Sequence, residues 1–560
     1  MSAVVAFPLL EAIWRSGALR TIDHALAQSL RRLDPATPDS VLAAVALASL
    51  AVARGHAGFD LASPGTLIDS AGIPWPDAGT WRRELATSRW VAVPTHGAEA
   101  ADASRPLVLE GAPGAPGLLY LRRYREYERR VASGLQRLAA FPDPGGVDLV
   151  TGGPGTGKTT TIARMLVTLV EEARKAGRPE PRIALAAPTG RAAERMAESV
   201  RNALQALATE GTDAGILEVL PTSGTTLHRL LGTIPDSPRF RHDADNPLPF
   251  DVVVVDEASM IDLPLMAKLV EAVPDGARLV LIGDPDQLPS VEAGDVLSGI
   301  LAADERAFPA RRTHLTKAWR QHDALDLAPL ANAVREGDSA TALKLLRSGE
   351  LSGVQFHEDL ADPLQPPHRD RLLANWRALA EADNPAQALQ LASRLRILTG
   401  VRDGPQGARI LNARIEAMLA GSGNASGKHF HGRLLLITEN SYRHRLFNGD
   451  IGICFRDSEG TVLAWFAGDT PDAPRAFHPA ALPAHDSAFA MTVHKAQGSE
   501  FDEVWLLLPA HDSRVLSREL VYTGITRARR ELRLTGSARV IEAALERHAS
   551  RWSGLGWRLG

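Results

Sequence analysis

A glycine-rich loop constrains this chain more than any other part of its sequence. The run Gly152–Thr159 fits the pattern G-x-x-x-x-G-K-[ST] at every fixed position. In such a loop the backbone N–H groups turn onto a phosphate, the lysine contacts the β- and γ-phosphates, and the final hydroxyl ligates Mg²⁺. An apolar run at 147–150 precedes the loop and an amphipathic helix pattern follows it. The sequence therefore predicts a strand–loop–helix site for a nucleoside triphosphate, bound by Gly152, Gly153, Pro154, Gly155, Thr156, Gly157, Lys158 and Thr159.

Apolar runs alternate with helical patterns on the C-terminal side of the loop. The runs at 183–187, 251–255 and 278–282 are rich in Val, Ile, Leu and Ala, and polar residues follow each of them. Near-continuous apolar strands between helices predict a parallel sheet that is covered on both faces. Ligands of such sheets bind beyond the carboxyl ends of the strands, so we expect these polar residues to converge at one edge.

A second unit of the same kind begins near residue 394 and resumes at 489–492, 504–508 and 532–535. Between about 427 and 485 the pattern changes to short alternating segments separated by turn residues such as Asn448-Gly449. This change predicts a small antiparallel, barrel-like insertion in the second unit. The polar, turn-rich segment 232–249 predicts a protruding hairpin in the first unit.

These patterns divide the chain into three parts. Residues 1 to about 90 are rich in Ala and Leu at helical spacing, and a loose stretch rich in Pro and Gly follows to residue 117. Residues 1–118 therefore predict an N-terminal helical domain that docks onto a partner. Residues 119–350 form the first α/β unit, with the hairpin at 232–249. Residues 351–560 form the second, with the insertion at 427–485. The predicted fold class is α/β, with two parallel-sheet lobes behind a helical domain.

Composition excludes few classes of function. The chain has 560 residues and a formal net charge of −4, so no overall basic excess indicates a nucleic-acid partner, although a groove can still be locally basic. Its single cysteine, Cys454, cannot form an intramolecular disulfide, which is typical of a reducing compartment. No signal peptide or membrane-spanning run is visible, and we expect a cytoplasmic location.

An acidic pair follows the apolar run at 252–255. Hydrolysis of a nucleoside triphosphate needs one carboxylate for the Mg²⁺ shell and another to orient the attacking water. Asp256 suits the first role and Glu257 the second. After the next run, the amide of Gln287 is suited to sensing the γ-phosphate. In the second half, Arg320 and Arg527 are candidates to stabilise the charge that develops on the transferred group, although each alone is also typical of a surface ion pair.

Taken together, these segments resemble the ordered motifs of superfamily 1 helicases. The motif set consists of the phosphate loop, APTGRAA (187–193), TLHRLLG (226–232), VVDEASMID (254–262), LIGDPDQLPSV (281–291), LTKAWRQ (315–321), MTVHKAQGSEFD (491–502) and LVYTGITRARREL (520–532). Within that superfamily the chain resembles the RecD family, the alpha subunits of exodeoxyribonuclease V (RecBCD). Further segments carry this resemblance: GHAGFDL (55–61), RDGPQGARILNARIE (402–416), HGRLLLITEN (431–440) and LFNGDIGI (446–453).

The resemblance implies two RecA-like lobes, an SH3-like insertion in the second, and ATP and Mg²⁺ as ligands. It implies a 5′→3′ motor on single-stranded DNA with RecB-like and RecC-like partners, acting in double-strand-break repair by recombination, with the nuclease in another subunit. It implies that Thr159 and Asp256 ligate Mg²⁺ and that Glu500 lies near the ribose. Gln497 and Gly498 would couple the DNA site to the nucleotide site. Gln287, Arg320 and Arg527 would contact the γ-phosphate. The implied DNA-binding residues are Thr189, Gly190, Arg191, Thr226, His228, Thr492, His494 and Lys495.

One departure from the family and two alternatives stay open. The family carries an adenine-reading glutamine before the phosphate loop, whereas the matching position here holds Glu128 or Arg129. Trp319 and Trp505 could stack on DNA bases or belong to the core. The alternatives to a complex-bound motor are a stand-alone RecD-like helicase, whose relatives carry a longer N-terminal region, and a P-loop ATPase that does not translocate.

Overall fold

The structure is a computed structural model built around four β-sheets. It describes residues 8–68, 72–94, 103–111, 117–141, 143–234, 237–316, 325–420, 429–441, 443–468 and 473–560. Two sheets are parallel and form the cores of two α/β lobes. Within the described ranges, no helix has both the length and the apolar character needed to cross a membrane.

The N-terminal unit packs helices against a four-stranded sheet of order β1-β4-β3-β2. Its elements are α1 (Leu9–Arg15), α2 (Thr21–Leu33), α3 (Asp39–Ala53), β1 (Phe59–Asp60), α4 (Pro64–Leu67), α5 (Ala78–Thr87), β2 (Val91–Ala92), β3 (Leu107–Glu110) and β4 (Leu118–Leu121). Helix α3 is central, because every residue from Val41 to Ala51 is buried. The sequence predicted the helices but not the sheet. Its strands have two or four residues, too few to show the alternation of apolar and polar residues that indicates a strand.

Lobe 1 holds a six-stranded parallel sheet of order β10-β5-β9-β8-β6-β7. Its elements are α6 (Arg122–Ala139), β5 (Gly146–Gly152), α7 (Lys158–Lys175), β6 (Ile183–Ala187), α8 (Gly190–Thr209), α9 (Ala214–Val219), β7 (Thr225–Thr226), α10 (Leu227–Leu231), β8 (Val252–Val255), α11 (Leu263–Ala272), β9 (Arg278–Gly283), α12 (Val296–Leu301) and β10 (Arg311–Leu315). Strands β5, β8 and β9 are buried along their whole lengths, as continuous apolar runs covered on both faces predict. In the predicted hairpin, one antiparallel bridge joins Thr233 to Phe240.

Lobe 2 holds a five-stranded parallel sheet of order β11-β20-β19-β12-β18, interrupted by an antiparallel sheet of order β16-β15-β14-β13-β17. Its elements are α13 (Ala328–Glu336), α14 (Ser339–Ser348), β11 (Val354–His357), α15 (His368–Ala380), α16 (Pro385–Ala392), β12 (Leu395–Thr399), α17 (Ala408–Ala420), β13 (Leu434–Ile437), β14 (Ile451–Arg456), β15 (Val462–Phe466), β16 (Arg475–Phe477), β17 (His485–Ser487), β18 (Ala490–Thr492), β19 (Phe501–Leu507), α18 (Arg518–Ile525), β20 (Ala528–Thr535) and α19 (Ala538–Glu546). The inserted sheet has a small core of its own, which includes Cys454.

Two packing arrangements bear on where the domains begin and end. Residues of α13 and α14 belong to the core of lobe 2, so the packing boundary lies before Leu325 rather than near residue 350. The chain also ends in a short helix, α20 (Leu555–Leu559), that leaves lobe 2 and joins the core of lobe 1. The C-terminal segment is therefore part of lobe 1 by packing, although it follows lobe 2 in sequence.

Candidate nucleotide and DNA site

The glycine-rich loop leaves the carboxyl end of β5 and runs into α7. Gly155 and Gly157 have φ values of 75° and 82°, a left-handed conformation that glycine adopts without strain. The Lys158 ammonium donates to the backbone oxygens of Gly152 at 2.6 Å and of Gly153 at 2.9 Å. The lysine is therefore held at the mouth of the loop, and the backbone N–H groups at the start of α7 face the same cleft.

The acidic pair lies at the carboxyl end of β8, as predicted. The backbone N–H of Glu257 donates to the Asp256 carboxylate at 2.9 Å, and Glu257 has a left-handed φ of 52°. Burial and then the charge of Glu257 raise the pKa of Asp256 to about 6, while the nearby charge of Lys158 opposes this rise. A buried carboxylate beside a lysine and a second carboxylate is suited to a divalent cation, which would restore its charged form.

Gln287 follows the neighbouring strand, β9. Its side-chain N–H donates to the Asp284 carboxylate at 3.0 Å, and the Tyr522 hydroxyl from lobe 2 donates to the same oxygen at 3.2 Å. Two further bonds join this segment to lobe 2: the Leu288 backbone N–H donates to the Thr523 hydroxyl at 2.8 Å, and the Gln497 amide donates to the Leu288 carbonyl at 2.7 Å.

The two lobes enclose one cleft of about 210 Å³ around these groups. Lobe 1 contributes Lys158, Asp256, Glu257 and Gln287, together with loop residues 154–160, and lobe 2 contributes Glu500 and Arg527. Thus every predicted catalytic residue within the described ranges lines the same cleft. Arg320 lies outside the described residues, as does Trp319.

Arg527 is fixed by backbone contacts in lobe 2. Its guanidinium donates to the carbonyls of Thr523 at 3.0 Å and Ser499 at 3.3 Å. Burial lowers the pKa of Arg527, and the charges of Glu257 and Glu500 oppose the change. The side chain is thereby held in the cleft as a preorganised cation.

Sequence reasoning missed one cation of this cleft, Arg195. From α8 of lobe 1, its guanidinium donates to the Gly498 carbonyl at 2.8 Å and pairs with Glu500 at 2.6 Å. The charges of Glu500, Glu257 and Asp256 raise its pKa against the effect of burial. Its partners Gly498 and Glu500 lie in the other lobe, so no local pattern in the sequence pointed to this residue.

The predicted DNA-binding residues lie at or just after the carboxyl ends of β6 and β7 in lobe 1 and of β18 in lobe 2. Thr189 and Thr226 begin α8 and α10, where each hydroxyl oxygen accepts a backbone N–H at 3.2 Å and keeps its own hydrogen for another acceptor. A Cβ on Gly498 would lie 3.8 Å from the Thr189 hydroxyl, so segments from both lobes adjoin here. Arg191 stacks at 6.0 Å on Phe501, and burial lowers its pKa to about 10.

The remaining DNA-binding candidates are divided between the lobes. In lobe 1, a Cβ on Gly190 would lie 3.3 Å from the ring of Phe447, which stands between β13 and β14 of the insertion. The ring centroids of His228 and Phe240, in the predicted hairpin, are 5.8 Å apart. In lobe 2, the Lys495 backbone N–H donates to the Thr492 hydroxyl at 3.4 Å, and His494 precedes Lys495 in a short 3₁₀ turn. Burial lowers the pKa of both His494 and Lys495.

The structure answers two questions that the sequence left open. Glu128 is fully buried away from the cleft and accepts hydrogen bonds from Tyr120 at 3.0 Å and Ser553 at 2.6 Å. Arg129 pairs with Glu126 at 3.1 Å, so neither candidate lies among the residues that line the nucleotide cleft. Trp505 is fully buried in the core of lobe 2, where it is not available to DNA bases.

Similarity to known proteins identifies the family of this chain. Family models match at residues 15–113 (RecBCD enzyme subunit RecD, N-terminal domain), 139–293 (AAA domain) and 487–535 (UvrD-like helicase C-terminal domain). The chain is 39% identical to RecBCD enzyme subunit RecD of Mycobacterium tuberculosis strain H37Rv, over 100% of this chain and 98% of that protein. The chain belongs to the RecD family. It is 38% identical to RecBCD enzyme subunit RecD of Mycolicibacterium smegmatis, over 98% of this chain and 99% of that protein.

Family membership confirms the fold class and the enzyme class that the sequence predicted: a RecD-type, ATP-dependent DNA helicase of superfamily 1. A more distant relative is the ATP-dependent RecD2 DNA helicase of Deinococcus radiodurans, which is 30% identical over 80% of this chain and 59% of that protein. Within the described part of the chain, no group of three or more His, Cys, Asp or Glu side chains lies together as a candidate metal site.

Proposed function

We propose that this RecD-type helicase moves 5′→3′ along single-stranded DNA as one motor of a RecBCD-like complex, in double-strand-break repair. The observation that carries the proposal is the pair of bonds at Leu288, which link the segment after Gln287 to Gln497 and Thr523 of lobe 2. Through these bonds, a change at the γ-phosphate is transmitted to the lobe that holds His494 and Lys495. Movement on DNA requires such a link between hydrolysis and the grip on the strand.

The residues of the cleft fit Mg²⁺ and ATP. Lys158 and the loop 152–159 bind the β- and γ-phosphates, and the Thr159 hydroxyl with the Asp256 carboxylate would hold Mg²⁺, whose charge screens the phosphates. Glu257 orients the attacking water and accepts its proton. Gln287 contacts the γ-phosphate, and Glu500 contacts the ribose.

Arginines complete the site by stabilising charge on the transferred group. Arg527 supplies this positive charge from lobe 2. We propose Arg320 as the second such arginine because of its place in the motif LTKAWRQ (315–321). Arg195 orients Glu500 through the 2.6 Å ion pair. Because these cations belong to both lobes, the site is complete only when the cleft is closed.

The DNA track runs across the same edge of both lobes. Thr189, Gly190, Arg191, Thr226 and His228 grip the backbone from lobe 1. Thr492, His494 and Lys495 grip it from lobe 2. Hydroxyls, backbone N–H groups and cations recognise phosphates without reading sequence, which suits a motor that must move over any strand.

We propose a RecB-like and a RecC-like subunit as partners, which dock onto the N-terminal unit. The proposed location of the complex is the cytoplasm, beside chromosomal DNA. Similarity supports a subunit over a stand-alone enzyme: residues 15–113 match the N-terminal domain of RecBCD enzyme subunit RecD, and the chain is 39% identical to the mycobacterial RecBCD subunit but 30% identical to the RecD2 helicase. Copurification tests this choice. If the chain unwinds DNA alone at the rate of its complex, the stand-alone hypothesis is correct.

Polarity is tested with partial duplexes that carry a single-stranded tail at one end. We expect ATP-dependent unwinding with a 5′ tail and little with a 3′ tail. The opposite preference would refute the proposed direction. ATP hydrolysis without DNA stimulation or unwinding, alone and with partners, would favour an ATPase that does not translocate.

A further inference from the structure

The C-terminal segment crosses from lobe 2 to lobe 1 within a very short stretch of chain. Arg547 is bonded inside lobe 2, to the carbonyls of Ser513 at 2.8 Å and Leu516 at 2.7 Å. The Ala549 backbone N–H donates to Glu519 of α18 at 2.8 Å. Two residues later, the Arg551 guanidinium donates to the Glu292 carbonyl of lobe 1 at 2.6 Å. Since two residues span at most about 7 Å, the lobes are tied together here by a second covalent connection.

Arg551 binds the loop that follows the γ-phosphate sensor. Its guanidinium donates to the carbonyls of Glu292 at 2.6 Å and Gly294 at 3.3 Å and lies 3.5 Å from the Ser290 hydroxyl. The Ser290 hydroxyl itself bonds to the same two carbonyls at 3.0 Å each. All three contacts are made by one terminal nitrogen, Nη1, which gathers oxygens of Ser290, Glu292 and Gly294 around it, so Arg551 fixes the shape of loop 288–294.

The N-terminal unit holds the same arginine from the other side. Gly55 has a φ of 89°, and a Cβ at this position would lie 2.4 Å from the Arg551 guanidinium carbon. The Gly55 carbonyl accepts the Gly294 backbone N–H at 2.9 Å. Only glycine combines this backbone conformation with the space that the guanidinium occupies.

The next residues of the GHAGFDL segment bind Trp552. The His56 ring stacks on the indole at 4.2 Å and accepts the Trp552 backbone N–H at 3.0 Å. The Ala57 backbone N–H donates to the Trp552 carbonyl at 2.8 Å, and Phe59 packs edge-on at 6.1 Å. None of the residues assigned above to the nucleotide or DNA site belongs to GHAGFDL. Its contacts with Trp552 indicate that GHAGFDL binds the C-terminal segment.

From these contacts we propose that Arg551 is a positioning residue of the motor. It holds loop 288–294 in the shape that lets Leu288 bond to Gln497 and Thr523, and it ties that shape to the N-terminal unit. When the N-terminal unit moves, as on docking of a partner subunit, Gly55 and Arg551 transmit the movement to loop 288–294. The inference rests on the proposed DNA-driven function.

The test measures ATP turnover with and without single-stranded DNA for Arg551→Met and Arg551→Lys, in the chain with its copurifying subunits. Methionine keeps the apolar stem but removes every donor. Arg547→Met is the matched control, because the carbonyl bonds of Arg547 and its ion pair with Asp512 lie wholly inside lobe 2. Thermal unfolding of each variant reports whether the fold is kept.

We expect Arg551→Met to reduce the stimulation by DNA about three- to tenfold, with turnover in the absence of DNA and the KM for ATP unchanged. Arg551→Lys recovers part of the stimulation, since an ammonium still reaches two oxygens. Arg547→Met lowers the melting temperature but keeps the stimulation ratio. Equal ratios for the wild type and Arg551→Met would overturn the inference. A wild type that DNA does not stimulate would instead overturn the proposed function.

If Arg551→Met does not fold, Gly55→Ala gives a second route to the same answer. The added methyl group displaces the guanidinium and leaves all its donors in place. Reduced DNA stimulation in this variant supports the inference, and an unchanged ratio refutes it.

Discussion

The Tyr522 hydroxyl of lobe 2 donates a hydrogen bond to the Asp284 carboxylate of lobe 1 over 3.2 Å. The same hydroxyl would lie only 2.9 Å from a Cβ on Gly153 in the phosphate loop. One side chain thus connects the lobe that closes the cleft to both the phosphate loop and the sensor segment. The lack of a side chain at Gly153 is what permits this approach.

Gly153→Ala should separate the lobes at this point. Because the new methyl group meets the Tyr522 hydroxyl, we expect ATP turnover to fall about 10- to 100-fold through misplacement of Arg527. Tyr522→Phe alone removes one hydrogen bond, at a cost of about 1 kcal/mol in stability. The double variant should recover most of the lost turnover. Strictly additive losses, measured in a double-mutant cycle, would contradict this account.

Lys158→Gln removes the phosphate-binding charge. We expect ATP turnover to fall about 100-fold or more, because a preorganised cation is lost from the cleft. The melting temperature and assembly with partner subunits should stay unchanged, since among the described residues the Lys158 ammonium hydrogen-bonds to carbonyls of its own loop. Loss of assembly would indicate a structural role for this lysine.

Glu128→Gln tests whether this residue is structural. Its carboxylate is buried and accepts hydrogen bonds from Arg558 at 3.2 Å and from the Gly554 backbone at 2.9 Å, in addition to Tyr120 and Ser553. Neutralising it leaves buried donors poorly paired and should cost about 2–3 kcal/mol in the free energy of unfolding. The preference for ATP over GTP should not change. A changed preference at unchanged stability would return Glu128 to the nucleotide site.

Acidification should loosen the contact between the N-terminal unit and the C-terminal segment. Burial, followed by the charges of Arg551 and Arg54, lowers the pKa of His56 from its ordinary value of 6.5 to about 4. The unfolded chain therefore binds more protons at this residue between pH 4 and 6.5, so stability rises with pH over that window and is lost as pH falls through it.

The measurement is the melting temperature of the wild type, His56→Gln and the exposed-site control His511→Gln from pH 7 to pH 4. The advantage of the wild type over His56→Gln should shrink as the pH falls. His511→Gln, which replaces an exposed side chain, controls for effects of a His-to-Gln substitution that do not involve His56. An advantage over His56→Gln that grows toward pH 4 would mean that His56 is stabilised in its charged form.

The parallel sheets and the nucleotide cleft were predictable because their signals are local. Strands such as β8 are continuous apolar runs, and Asp256 and Glu257 follow directly at the carboxyl end. Arg195 was not predicted, since its partner Glu500 lies 305 residues away and helical spacing alone does not identify an ion pair. The role of Glu128 was also hidden, because the partners that bury it come from the last residues of the chain.

Long-range docking of the C-terminal segment could not be derived from pattern either. The bond between Trp552 and His56 joins residues 496 positions apart. In sequence, GHAGFDL was recognisable only as a shared segment, with nothing to indicate what it binds. Only the fold brings Gly55, Arg551 and loop 288–294 together.

The most direct test of the central claim is the rate of ATP hydrolysis by the chain with its copurifying subunits, measured with and without single-stranded DNA, with Lys158→Gln as the inactive control. The account predicts that DNA strongly stimulates hydrolysis in the wild type and has no effect in Lys158→Gln. Wild-type hydrolysis that is the same with and without DNA would contradict it.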